Sequence, residues 1–335
     1  MTDQGKINRE GARPASLFER ADAAFGLGPV NAGPKLPPVP PVPEPLRRAP
    51  VPQPQASAPQ VQEQSVVPQA PAAPISEPAP LPEPAPEAPR AVAFSGPVAA
   101  IDREHLRDGG LIIPEDPVTG LLEEFRIVKR ELLAEARSGD SGLARRILVC
   151  SPHPGEGKTY CATNLAIALA AERDLEVVLV DADVVKPEVT RRLGIEAERG
   201  LMDALADPSV QPESLVIRTD IEGLFVLPAG TPSALDAEYL ASAHTGTVLD
   251  RLTQGAPNRI LIFDTPPALA ASPAAELAAH VGQALLVVRA DETAKAALED
   301  AQQLLSACPD IKLLLNAARY SLSGRRFGSY GAGGK

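Results

Sequence analysis

From about residue 98 to residue 316, short apolar runs alternate with stretches whose apolar positions recur every three to four residues. The runs predict strands at 146–150, 176–181, 224–228, 260–264, 284–289 and 312–316, and the longer period predicts helices at 119–136, 160–171, 200–206, 235–252, 273–281 and 293–307. The clearest amphipathic helix, T-G-L-L-E-E-F-R-I-V-K-R-E-L-L-A-E-A from Thr119, gathers Leu122, Phe125, Val128, Leu132 and Leu133 on one face. Its other face carries Glu123, Arg126, Lys129 and Arg130. Strands alternating with helices predict an α/β fold, a doubly wound and mainly parallel sheet that presents ligands at the carboxyl ends of its strands.

Composition separates this domain from what precedes it. Between about 29 and 97 roughly a third of the residues are proline, which cannot supply the N–H groups of a helix or sheet. That stretch reads as a disordered, polyproline-like arm. Ahead of it, A-S-L-F-E-R-A-D-A-A-F places Leu17, Phe18, Ala21 and Phe25 near one helical face behind Ser16, the pattern of a short docking helix or of an amphipathic stretch too short to fold alone. The resulting plan is a docking segment over 1–28, a linker over 29–97, a catalytic domain over 98–318 and a glycine-rich tail over 319–335.

A net charge of -11 leaves no basic footprint for nucleic acid. Cys150, Cys161 and Cys308 stand apart in apolar or helical surroundings, as reduced core residues do. The sequence carries neither a membrane span nor a signal peptide, so the expectation is a cytoplasmic protein brought to the inner membrane by a partner.

Ser151 to Thr159 reads S-P-H-P-G-E-G-K-T between a strand and a helix. A glycine-rich loop lets backbone N–H groups converge on phosphate oxygens, and the helix adds its positive end. Pro154, Gly155, Glu156, Gly157, Lys158, Thr159 and Tyr160 therefore form a candidate ATP cradle, with Lys158 on the β- and γ-phosphates and the Thr159 hydroxyl on Mg²⁺. Pro152 stands where the usual P-loop has its first glycine. The competing reading is a glycine turn with Lys158 in solvent. V-V-L-V-D-A-D ends a buried run with Asp181 and Asp183, and R-I-L-I-F-D-T-P-P ends another with Asp264. Carboxylates beside a Mg²⁺-nucleotide can hold metal or its water and accept a hydroxyl proton. An aspartate after a strand can equally cap a helix or a turn.

Together these three motifs resemble the bacterial P-loop tyrosine kinases of capsule and exopolysaccharide synthesis, as do A-E-R-G-L-M-D-A-L-A-D-P from Ala197, H-V-G-Q-A-L-L-V-V from His280 and L-L-L-N from Leu313. The branch most like it is the autokinase of loci that carry exosortase. The resemblance covers about residues 108–326. It implies a P-loop NTPase of the deviant-Walker, partitioning-ATPase-like type, with ATP and Mg²⁺ as cofactors and no other metal. Asp181 would activate a tyrosine hydroxyl, Asp183 and Asp264 would support Mg²⁺, and Asn316 would face adenine. Glu123, Arg126 and Lys129 fall on the family's E-x-x-R-x-x-R self-association motif, implying a ring-shaped homo-oligomer, with a solvated charged face as the alternative. A membrane polysaccharide co-polymerase would be the activating partner.

Three positions depart from the pattern. The tail lacks a tyrosine cluster, so Tyr330 and then Tyr320 are the acceptors it offers. Val184, Val185 and Lys186 follow the second acidic motif where arginine is common in the family. His153 occupies the place of the extra lysine of partitioning ATPases, where it would touch phosphate or cap the loop. Two functions follow: a tyrosine autokinase regulating polysaccharide assembly and export, or a nucleotide-dependent assembly switch with weak or no kinase activity.

Overall fold

The computed structural model describes residues 90–138 and 142–318. The docking segment, most of the proline-rich arm and the tail with Tyr320 and Tyr330 lie outside the described residues. Eight strands, β1 (Val98–Ala99), β2 (Arg146–Cys150), β3 (Glu176–Asp181), β4 (Ile217–Thr219), β5 (Leu224–Leu227), β6 (Arg259–Asp264), β7 (Gln283–Arg289) and β8 (Asp310–Asn316), form one sheet. Their order is β1-β4-β5-β3-β6-β2-β7-β8, parallel throughout except where β4 meets β5.

The central strands are buried along their whole length because helices cover both faces, which is why their sequences read as unbroken apolar runs. On one face lie α1 (Arg103–Asp108), α2 (Gly120–Ser138), α3 (Lys158–Ala170) and α4 (Val189–Leu193), packing Leu106, Phe125, Leu132, Leu165 and Leu193 against Ile147, Leu179 and Ile262. On the other lie α5 (Leu201–Ala206), α6 (Asp236–Ala241), α7 (Ala243–Thr253), α8 (Pro273–Ala278) and α9 (Lys295–Leu304), with Met202, Leu240, Leu249, Leu277 and Ala301 against Leu148, Val178 and Phe263. The predicted doubly wound sheet is present, and every strand and helix predicted between 98 and 316 is found with ends shifted by a few residues, the stretch 235–252 as two helices. β1, β4, α1 and α4 were not predicted, since two to six residues are too few for a periodicity to show.

The packed domain also starts earlier than residue 98. Val92 donates its N–H to the Gln254 carbonyl (3.2 Å) and Ser95 to that of Glu213 (3.0 Å). Phe94 is buried edge-on to Phe225, ring centroids 4.9 Å apart, and the Arg259 guanidinium lies 4.0 Å over its ring.

Register places the site. β2 lies between β6 and β7, Val149 is level with Asp264, and Asp264 is level with Asp181 on β3. Three adjacent strands thus deliver the loop and two aspartates to one carboxyl edge.

Candidate functional site

The loop after β2 is held from several sides. Gly155 and Gly157 take left-handed φ values of 83° and 98°, and a Cβ at Gly157 would come within 2.2 Å of the Asn316 amide nitrogen. Asn316 donates to the Glu156 carbonyl at 2.8 Å, so in this structure it clamps the loop. The buried Glu156 carboxylate accepts from the His153 N–H (2.8 Å) and from the Thr293 hydroxyl. His153 itself points to solvent; the loop is capped by Glu156, not by the imidazole. The Ser151 and Pro152 carbonyls accept N–H bonds from Ala268 and Leu269, which ties the start of the loop to the Asp264–Pro267 turn. Pro152 suits that position because it needs to accept and has no N–H to satisfy.

At the head of α3, Lys158 is partly buried among carboxylates. Its ammonium is 2.6 Å from Asp183 and 3.9 Å from Asp264. Burial by itself would lower its pKa, but Asp264, Asp183 and Asp181 together raise it, so the lysine stays charged. Lys158 is thus paired with carboxylates rather than left to solvent. Asp183 also accepts the Lys186 N–H at 3.1 Å.

Asp181 is fully buried and takes the N–H groups of Asp183 (3.2 Å) and Val189 (3.0 Å). It thereby closes the turn and holds the first residue of α4, the capping role open to any aspartate after a strand. Burial and the neighbouring Asp264 push its pKa up to about 7. Asp264 differs: it is fully buried and neither carboxylate oxygen accepts a hydrogen bond among the described residues. Burial drives its pKa up to about 6, against the opposing pull of the Lys158 ammonium.

An orphaned buried carboxylate beside a threonine hydroxyl at a helix start fits a hydrated divalent cation, whose water protons would satisfy the lone pairs. Thr159, Asp183 and Asp264 could hold such an ion. Among the described residues no group of three or more His, Cys, Asp or Glu side chains could do so unaided. Mg²⁺ keeps several waters and borrows phosphate oxygens.

Other predicted residues lie elsewhere. The Tyr160 hydroxyl donates to the Gly110 carbonyl at 3.0 Å, leaving its backbone for the loop. On α2, Glu123 pairs with Arg126, while Lys129 donates to the Ala168 carbonyl (2.9 Å) and pairs with Glu172 (2.8 Å). Thr293, the outer support of the loop, carried no signal in the sequence, because a threonine ahead of a helix reads as an ordinary cap.

Comparison with known proteins places this geometry. The family model described as ParA: NUBPL iron-transfer P-loop NTPase matches residues 142–313. Tyrosine-protein kinase YwqD of Bacillus subtilis is 30% identical over 211 residues, 62% of this chain and 86% of YwqD. The chain belongs to the bacterial P-loop tyrosine kinases. EpsB of Ralstonia nicotianae is 30% identical over 226 residues, 65% of this chain. The chain spans only 28% of EpsB's length. The kinase domain of the Escherichia coli tyrosine kinase ETK superposes with a TM-score of 0.51 at 19% identity, covering 69% of this chain and 93% of that one, which shows a common fold. The three cysteines of this chain, Cys150, Cys161 and Cys308, are free and buried.

Proposed function

We propose that the protein is an ATP-dependent tyrosine autokinase that regulates exopolysaccharide or capsule assembly and export. The observation that carries this reading is the partly buried Lys158 set among the buried Asp181, Asp183 and Asp264 beneath a braced phosphate loop, in a chain of this family. The backbone from Pro154 to Tyr160 would hold the ATP phosphates, with Lys158 as their counter-charge. Asn316 would meet the adenine from its place against the loop. Thr159, Asp181, Asp183 and Asp264 would hold Mg²⁺, which when bound neutralises charge on the phosphates.

Asp181 is the residue to take the proton of the attacking tyrosine hydroxyl. A carboxylate with a pKa of about 7 is half ionised at neutral pH, which suits an acceptor. To reach it, a tyrosine must displace the turn over residues 182–188, whose outermost side chain, Val185, is 80% exposed. Tyr330, or else Tyr320, is the acceptor, delivered between subunits of a ring built through Glu123 and Arg126. Because Lys129 is engaged within its own subunit, it supports that surface rather than reaching across it. No helix among the described residues is long and apolar enough to cross a membrane. A polysaccharide co-polymerase in the inner membrane would recruit and activate the protein.

The test is incubation of the full chain with Mg-ATP and mapping of phosphotyrosine by mass spectrometry. Phosphate on Tyr330 or Tyr320 is the expected outcome. A protein that binds ATP yet carries no phosphotyrosine contradicts the proposal.

A further inference from the structure

Among the described residues β8 ends the sheet and pairs only with β7. Side chains alternate along a strand, and Ile311 packs with Leu305 and Cys308 on the α9 side. Leu313 and Leu315 therefore face that side too, yet they are 51% and 60% exposed, the two most exposed leucines among the described residues. Adjacent bare leucines on an edge strand invite a partner.

Two observations specify the occupant. First, β8 ends at Asn316, whose carbonyl is fixed by the Ala290 N–H at 2.9 Å, and the described chain ends two residues later, at Ala318, so the tail follows this face directly in sequence. Their sequence, R-Y-S-L-S-G-R-R-F-G-S-Y-G-A-G-G-K, offers Leu322 and Phe327 as apolar contacts, and S-L-S-G is a turn signal that lets a following leg run back. Second, the charges are complementary. The tail carries Arg319, Arg325, Arg326 and Lys335 and no acid, whereas the β7–α9 turn and α9 expose Asp291, Glu292, Glu299 and Asp300. Glu292 and Glu299 pair with Arg289 and Lys295, while Asp291 and Asp300 have no ion pair among the described residues.

We propose that the C-terminal tail docks on its own domain, Leu322 and Phe327 covering Leu313 and Leu315 and Arg325 and Arg326 facing Asp291 and Asp300. Docking keeps Tyr320 and Tyr330 at the sheet edge. The consequence, an acceptor withheld until the tail is released, rests on the kinase reading; the docking itself does not.

Trypsin cleavage after Arg325 and Arg326 in the full chain, without nucleotide, tests it. Leu313→Ser/Leu315→Ser should raise the cleavage rate about tenfold with the thermal midpoint unchanged. Should that variant unfold, the Leu313 and Leu315 methyl resonances in a Phe327→Ser chain decide: a shift supports docking and no shift overturns it. Equal cleavage in wild type and variant overturns the proposal. So does protection that disappears on dilution, which assigns the face to a second copy. Docking without phosphotyrosine would refute the kinase reading and leave the docking standing.

Discussion

Lys158 and Asp183 form a buried ion pair, so binding phosphate and holding Mg²⁺ both begin by separating them. Breaking such a pair is costly unless each partner gains a replacement, which makes nucleotide binding depend on the metal. Asp183→Asn leaves Lys158 only its longer 3.9 Å approach to Asp264, and the affinity for ATP in excess EDTA should rise about tenfold in titration calorimetry. Unchanged affinity would show that the pair does not oppose binding. Asp264 gives a pH signature. Its pKa rises from 3.8 to about 6 on folding, so the native state binds the extra proton and stability falls as pH climbs through that window. Asp264→Asn removes this cost. In EDTA and without nucleotide it should stabilise the protein by about 3 kcal/mol well above pH 6 and by less than about 1 kcal/mol near pH 4, measured by denaturant unfolding.

At the scale of elements, the loop is as firm as the pieces that brace it. Thr293→Val removes the hydroxyl donated to Glu156 and should weaken ATP binding about fivefold, the worth of about 1 kcal/mol, with little change in thermal midpoint. α2 separates a structural charge from surface charges. Lys129→Ala, losing its contacts to Ala168 and Glu172, should cost about 1 kcal/mol of stability, whereas Arg126→Ala should leave stability alone and reduce the assembled mass in light scattering. The sequence made the central elements legible because buried parallel strands and an amphipathic helix each write a strong period. β1 and β4 wrote none, and Phe94 looked like part of the arm because its partners, Phe225 and Arg259, are far away in sequence. At the site, the residue types that chemistry demands were legible at Lys158, Asp181, Asp183 and Asp264. Who touches whom was not: the Lys158–Asp183 pair, the Asp181 hold on α4 and the Asn316 clamp are products of tertiary packing.

For the whole molecule, the sheet brings its phosphate loop, its acidic strand ends and the root of its tail to one carboxyl edge. The central claim is that this edge moves phosphate from ATP to the tail. The most direct measurement is transfer of γ-labelled phosphate from Mg-ATP to the full chain, comparing wild type with Lys158→Ala and with Tyr320→Phe/Tyr330→Phe. Label on the wild type alone, on tyrosine, is the outcome the account predicts. Equal labelling of the Lys158→Ala chain, or label that persists without both tail tyrosines, would contradict it.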